Sequence, residues 1–86
     1  MIEKKVGKVT HFFGKISVAV VELTDDALAV GDTIHIKGHT SDFTQKVESM
    51  QIEHKNVERA EVGQSVGLKV IAHAHENDIV YKVIEK

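Results

Sequence analysis

The stretch VESMQIEH, residues 47–54, decides the fold that the sequence predicts. Side chains of an extended strand point alternately to its two faces, so residues at even spacing share a face. Phe43 and Val47 would share one face of this strand, whereas Met50 and Ile52 would share the other. The strand therefore keeps its apolar alternation but shifts it by one residue partway along.

A shift of this kind predicts a bulge or a sharp bend near Glu48 and Ser49. Bends of this type let a small sheet turn a corner and close into a barrel. The alternative is an ordinary amphipathic strand with one mismatched residue. We favour the corner, because the segment is apolar on both sides of the shift.

Length and composition favour a single domain over residues 1–86, with 42% apolar and 28% charged residues. A formal net charge of −2 argues against a domain that relies on broad attraction to phosphates. The absence of cysteine excludes disulfides, thiolate nucleophiles and cysteine-ligated metals. No apolar run resembles a signal peptide or approaches the ~18 residues of a membrane span, so we expect a cytoplasmic protein without membrane contact.

Alternating and β-branched segments predict six strands and no helix. We expect Ile34 and Ile36 to point inward, and likewise Val66, Leu68, Val70 and Ala72. Residues 55–64 have some helical spacing, but an isolated helix of that length would be marginal, so a loop is expected. The expected strands are residues 5–13, 16–23, 33–37, 42–54, 65–72 and 79–84. This pattern predicts an all-β fold, a small six-stranded antiparallel closed β-barrel.

Three short motifs stand in a recognisable order: LAVGDTI (28–34), VESMQIEH (47–54) and AEVGQSVGL (60–68). Together they resemble the second domain of the translational GTPases, with elongation factor Tu and elongation factor 1-alpha the most similar. The resemblance runs from about Val6 to Val83 and implies the same six-stranded barrel. Barrels of this type also resemble the C-terminal domain of some collagenase-like peptidases, which have roles in RNA modification.

The resemblance implies a site for an RNA 3′ end, such as the acceptor end of tRNA. The glutamate that contacts the terminal adenosine in that family corresponds to Gln51, and its aliphatic contacts correspond to Ile16, to Thr10 or Val9, and to Lys69. The chain lacks the motif Gly-x-x-x-x-Gly-Lys-Ser/Thr, so neither a phosphate-cradling loop nor nucleoside triphosphate binding is expected.

We therefore expect a non-enzymatic, translation-factor-like binding module without a cofactor. The alternative is a protein–protein interaction module that serves as an accessory subunit to a translation or RNA-modifying enzyme of the collagenase-like peptidase family. Adjacent Phe12 and Phe13 point to opposite faces of a regular strand, which predicts a partner surface at one of them. The alternative is that the twist at the strand end lets both rings pack inside.

Histidine chemistry is a third alternative, because the chain contains 6 histidines. His73 and His75 would share a face, and His35 or Glu76 could add a ligand, but zinc needs three or four converging ligands. Scattered surface histidines are the simpler interpretation, so no metal site is predicted. The serines lie in no nucleophile-elbow context, and no catalytic residue is predicted.

Overall fold

The computed structural model describes residues 2–84. Within them the chain forms ten strands and no helix, which confirms the all-β prediction. The radius of gyration is 11.4 Å, close to the roughly 12 Å expected of a compact domain of this length. The strands are β1 (Ile2–Phe13), β2 (Val18–Leu23), β3 (Leu28–Ala29), β4 (Thr33–Lys37), β5 (Asp42–Lys46), β6 (Met50–Ile52), β7 (Lys55–Val57), β8 (Arg59–Ala60), β9 (Ser65–Lys69) and β10 (Ile79–Ile84).

Eight strands form one antiparallel sheet in the order β5-β4-β10-β1-β2-β9-β6-β7, and β3 pairs with β8 in a second, two-stranded sheet. The predicted six-stranded closed barrel is therefore wrong. Within residues 2–84 the large sheet does not close, and β5 and β7 are its two edges.

The loop 30–32 lies between those edges. The Val30 N–H donates to the Glu58 carbonyl beside β7, and the Gly31 N–H donates to the Val47 carbonyl beside β5, each at 2.9 Å. The sheet is thus bridged by a loop and the short β3–β8 pair instead of being closed by a continuous ladder of its own.

The predicted break in the corner strand is present. Strand β5 ends at Lys46, β6 begins at Met50, and the three residues between them belong to no strand. Val47 and Met50 are both buried, although the break separates them. A two-residue turn then leads into β7, so the segment that we expected to be a loop contributes two short strands.

The long first strand twists through two irregularities. Its pairing with β10 shifts between Lys5 and Gly7, which lets Val6 and Val9 both be buried although their spacing along the strand is odd. A second shift, between Val9 and His11, interrupts its pairing with β2. Bulges of this kind increase the local twist and curl the sheet around its apolar face.

The core lies on the inner face of this curled sheet. Buried and partly exposed side chains alternate regularly on β4, where Ile34 and Ile36 are buried as predicted. Ala72 was expected to point inward, but β9 ends at Lys69 and Ala72 is exposed, whereas Ala74 is buried. The largest fully buried side chains are Leu23, Leu28, Ile34, Ile36, Met50, Leu68, Val6, Val9, Val21, Val66 and Val80.

Asp26 is the centre of a polar cluster at the surface of the sheet. The Asp26 carboxylate lies 3.2 Å from Lys82 Nζ and 3.3 Å from Lys4 Nζ, and it accepts the Ala27 N–H. The Ala27 N–H and the two ammonium groups hold the pKa of Asp26 at about 2. This cluster ties β1 and β10 to the loop before β3.

The described residues contain no helix that is long and apolar enough to cross a membrane.

Candidate functional site

A groove of about 270 Å³ lies on the outer face of the sheet, where β2, β9 and β6 run side by side. Most of its lining is apolar, and its polar side chains stand toward one end. The lining residues are Phe13, Ile16, Val18, Val20, Gln51, Glu53, His54, Ser65, Val66 and Gly67.

Strand register explains why the groove forms here. Val20 stands opposite Gly67 on β9, and Gly67 in turn stands opposite Gln51 on β6. Directly paired residues of an antiparallel sheet point to the same face. Gly67 therefore forms a floor without a side chain between Val20 and Gln51. A Cβ atom on Gly67 would make only ordinary contacts, 3.4 Å from Val18 Cγ1 and 3.9 Å from the Gln51 carbonyl oxygen.

One wall of the groove is the turn between β1 and β2. Phe13 and Ile16 line it, and they are 46% and 57% exposed. Ser17, between Ile16 and β2, has a φ of 55°, in the left-handed region that residues with a Cβ rarely adopt. The opposite wall is the turn between β6 and β7, formed by Glu53 and His54.

The structure brings together two of the four residues that were predicted to hold an RNA end. Ile16 and Gln51 both line the groove, and Gln51 Nε2 donates to Asn56 Oδ1 at 3.0 Å. Lys69 stands opposite Val18, next to the groove but outside its lining. Thr10 lies away from it, at the bulge of β1, where its hydroxyl donates to the Val20 carbonyl at 3.3 Å.

The two adjacent phenylalanines point to opposite faces. Phe13 lines the groove, and its ring centroid lies 4.4 Å from that of His11. Phe12 is half-buried and packs against the core, with its ring centroid 4.5 Å from that of His73. Phe13 is therefore the candidate for a partner surface.

Histidines do not assemble a metal site in residues 2–84, where no group of three or more histidine or carboxylate side chains is arranged so that it could hold a metal ion. The rings of His73 and His75 lie 4.5 Å apart, as their spacing predicts. His35 instead lies between the carboxylates of Glu3, at 2.7 Å, and Asp42, at 2.5 Å. These two carboxylates raise the pKa of His35, with the Asp42 hydrogen bond the larger cause.

Ser41, His75 and Asp78 form a cluster that sequence analysis missed, since 34 residues separate Ser41 from His75. The Ser41 hydroxyl lies 2.8 Å from His75 Nδ1, and Asp78 Oδ2 lies 3.9 Å from the same nitrogen. A catalytic triad needs the serine and the carboxylate on different ring nitrogens. Ser41 and Asp78 are also buried. The backbone N–H of His75 donates a hydrogen bond to Asp78 Oδ2 at 2.9 Å, so the cluster holds the loop before β10 in place.

The groove residues that sequence analysis did not name as site residues are Val18, Val20, Glu53, His54, Ser65, Val66 and Gly67. Gly67 was noted only as part of a motif, and its place on the floor depends on the register of β9 between β2 and β6. A sequence offers no direct signal for that register.

No family model matches the chain. It is 45% identical over 82 residues to an uncharacterized protease of Methanocaldococcus jannaschii. The matched residues make up 94% of this chain and 20% of that relative. It is 35% identical over 78 residues to a collagenase of Porphyromonas gingivalis, 90% of this chain and 22% of that protein. The chain thus spans about one fifth of the length of these relatives.

Solved structures share the fold. The C-terminal domain of a Geobacillus thermoleovorans protein described as a U32 peptidase superposes with a TM-score of 0.87 at 21% identity, over 94% of this chain and 93% of that one. GDP-bound aIF5B from Aeropyrum pernix matches with a TM-score of 0.63 at 15% identity, over 93% of this chain and 14% of that one.

These matches correct the predicted relationship to translation factors. The translation-factor fold is a more distant structural match, and the relatives with appreciable sequence identity are a protease and a collagenase. The expected translation-factor function, with its RNA-end binding, is accordingly wrong. The chain is similar to about one fifth of each of these relatives, and it shares its fold with the C-terminal domain of the Geobacillus thermoleovorans protein.

Proposed function

We propose that this chain is a non-catalytic accessory module of a collagenase-like, U32-type peptidase, and that it binds protein through the groove bounded by Phe13 and Ile16. This is the alternative that the sequence raised, with the peptidase portion as the partner. The proposal also keeps three expectations from the sequence: that the chain is a single domain, that it works in the cytoplasm and that it needs no cofactor.

The comparisons support the peptidase context. The match covers nearly all of this chain but only about one fifth of each relative. We place the peptidase chemistry in the other four fifths, because the Ser41, His75 and Asp78 cluster lacks triad geometry and no group of side chains in residues 2–84 is arranged to hold a metal ion. A module of this kind would position the peptidase portion or its substrate.

The exposed pair Phe13 and Ile16 carries the binding part of the proposal. Large apolar side chains on a turn gain no stability for the isolated fold while they face water, and covering them releases roughly 25 cal/mol per Å² of apolar surface. Aromatic side chains in the centre of a contact commonly dominate its binding energy. The two side chains converge on one groove, which favours a specific contact over a scattered apolar surface.

The test measures binding by calorimetry to the portion of the Methanocaldococcus jannaschii relative that lies outside the matched residues. Phe13→Ser and Ile16→Ser should each weaken binding about tenfold, the effect of losing a contact worth about 1.4 kcal/mol. Ile71→Ser is the matched control, because Ile71 is 74% exposed and lies outside the groove. Equal losses for all three variants, or no binding at millimolar concentration, would contradict the proposal.

A second measurement tests the absence of catalysis. The chain alone should leave a fluorescent gelatin substrate uncleaved under conditions in which the full-length relative is assayed. Cleavage that survives repeated purification and disappears in a His75→Ala variant would assign peptidase activity to this module and overturn the non-catalytic part of the proposal.

A further inference from the structure

The turn between β6 and β7 is built from unexpected residues. Ile52 pairs with Lys55, so Glu53 and His54 form a two-residue turn with φ angles of 51° and 66°. Two positive φ angles define the hairpin turn that Asn-Gly makes at least cost. Glutamate and histidine pay a conformational penalty there, because each carries a Cβ that crowds the backbone.

Strained turns frame the groove on both sides. Glu53 and His54 form one wall, and Ser17, with its φ of 55°, lies in the turn that forms the other. Of the four non-glycine residues with positive φ among residues 2–84, only Asn77 lies elsewhere. Backbone strain that persists in a fold tends to collect where side chains must be held in place for function.

The groove also has an uneven charge. Glu53 is its one acidic lining residue, and none of the ion pairs formed within residues 2–84 includes it. Lys69 stands beside Val18, toward the other end of β9 from Ser65. A partner that crosses the groove therefore meets, at one end, a carboxylate that has no ion-pair partner within residues 2–84, and an ammonium group near the other end.

We propose, resting on the protein-binding function above, that the groove takes a protein segment with one apolar side chain next to one lysine or arginine. The apolar side chain would lie over Gly67, against Phe13 and Ile16, because Gly67 leaves the floor open. The basic side chain would pair with Glu53. Lys69 disfavours a second basic residue at the other end of the segment.

The experiment is an NMR titration of the labelled chain with two capped peptides, acetyl-Ala-Leu-Arg-Ala-amide and acetyl-Ala-Leu-Glu-Ala-amide. The arginine peptide should shift the amides of Phe13, Gln51 and Glu53 and bind about two- to fivefold more tightly, the effect of one exposed ion pair. Glu53→Gln should remove that preference while the spectrum shows an intact fold. Gly67→Val should weaken the binding of both peptides, since the valine side chain would fill the floor of the groove.

Equal binding of the two peptides, a preference that survives Glu53→Gln, or no shift at the groove at 10 mM peptide would overturn this inference. Its failure is distinguishable from failure of the proposed function. If Phe13→Ser weakens binding to the peptidase portion but Glu53→Gln does not, the proposed docking surface is supported, and the proposed lysine or arginine in the partner segment is wrong. If Phe13→Ser has no effect there, both proposals fall.

Discussion

Gly38 lies directly against the Asp78 carboxylate, so closely that a Cβ atom on Gly38 would overlap Asp78 Oδ1. The contact joins the turn after β4 to the loop before β10. Asp78 cannot easily move away, because it is buried and accepts the His75 N–H. The absence of a side chain at Gly38 is thus a packing requirement and not a matter of backbone conformation.

Gly38→Ala should lower the free energy of unfolding by about 1–3 kcal/mol, the usual cost of forcing extra atoms into a packed site. Gly67→Ala is the matched control, because a Cβ there makes only ordinary contacts and alanine suits a strand better than glycine does. Urea unfolding of both variants measures the difference. Equal stability of the two variants would show that the Asp78 side chain can turn aside.

Gln45 should stabilise the edge of the sheet at β5. Its Nε2 donates to the Lys69 carbonyl at 2.8 Å, and its Oε1 accepts the Ile71 N–H at 2.7 Å. Gln45→Ala should cost about 1–3 kcal/mol, because each hydrogen bond contributes roughly 0.5–1.5 kcal/mol. It should also speed hydrogen exchange at the Ile71 amide. Lys46→Ala, which changes an exposed neighbour, should alter neither quantity.

The parts of the fold that could be predicted from the sequence are those that depend on local alternation. Strands β4 and β10 begin and end where their alternating patterns do, and the shift between Val47 and Met50 marks a real break. The continuous apolar and β-branched run in residues 16–23 predicts a mostly buried strand, yet Val18 and Val20 of β2 are only half-buried because they face the groove. A β-branched residue suits either face of a sheet, so composition alone does not reveal which face is covered.

Closure and register could not be predicted from the same pattern. Whether β5 pairs with β7 depends on contacts between residues far apart in the sequence, and here the loop 30–32 occupies the space between them. The same limit applies to the candidate site. Ile16 and Gln51 were named through a resemblance, whereas Glu53 and Gly67 enter the groove only through the pairing of β6 and β9.

His35 should make stability depend on pH near neutrality. Its ring lies between Glu3 and Asp42, with Tyr81 of β10 at a centroid distance of 6.2 Å, and its pKa is raised above 6.5. A raised pKa means that the folded state binds the proton more tightly, so this contribution is complete below pH 6.5 and is lost as the pH rises through the folded pKa.

The free energy of unfolding should therefore fall as the pH rises above 6.5, and His35→Gln should flatten that part of the profile. Urea unfolding at a series of pH values measures the slope, and NMR titration of the His35 ring reports its pKa directly. A constant offset between His35→Gln and the original chain from pH 5 to pH 9 would contradict this assignment.

Asp26 should act at the acid end of the profile. Its pKa of about 2 lies below the usual 3.8, so its contribution is complete above pH 3.8 and is lost as the pH falls through about 2. Asp26→Asn should be less stable than the original chain at pH 7, and the difference should shrink below pH 3.8. Asp25→Asn is the control, since Asp25 lies 3.8 Å from a single lysine.

The strained turn at Glu53 and His54 predicts a conflict between stability and binding. Replacing the pair by Asn-Gly, as Glu53→Asn with His54→Gly, should raise the free energy of unfolding. The gain should not exceed about 1–2 kcal/mol for each of the two positions, since that is the cost of the left-handed conformation. Thermal unfolding measures the gain. The same double variant removes the carboxylate from the groove, so the preference for the arginine peptide should disappear as the melting temperature rises. A variant that gains stability and keeps the preference would show that the turn is strained for a reason unconnected with the groove.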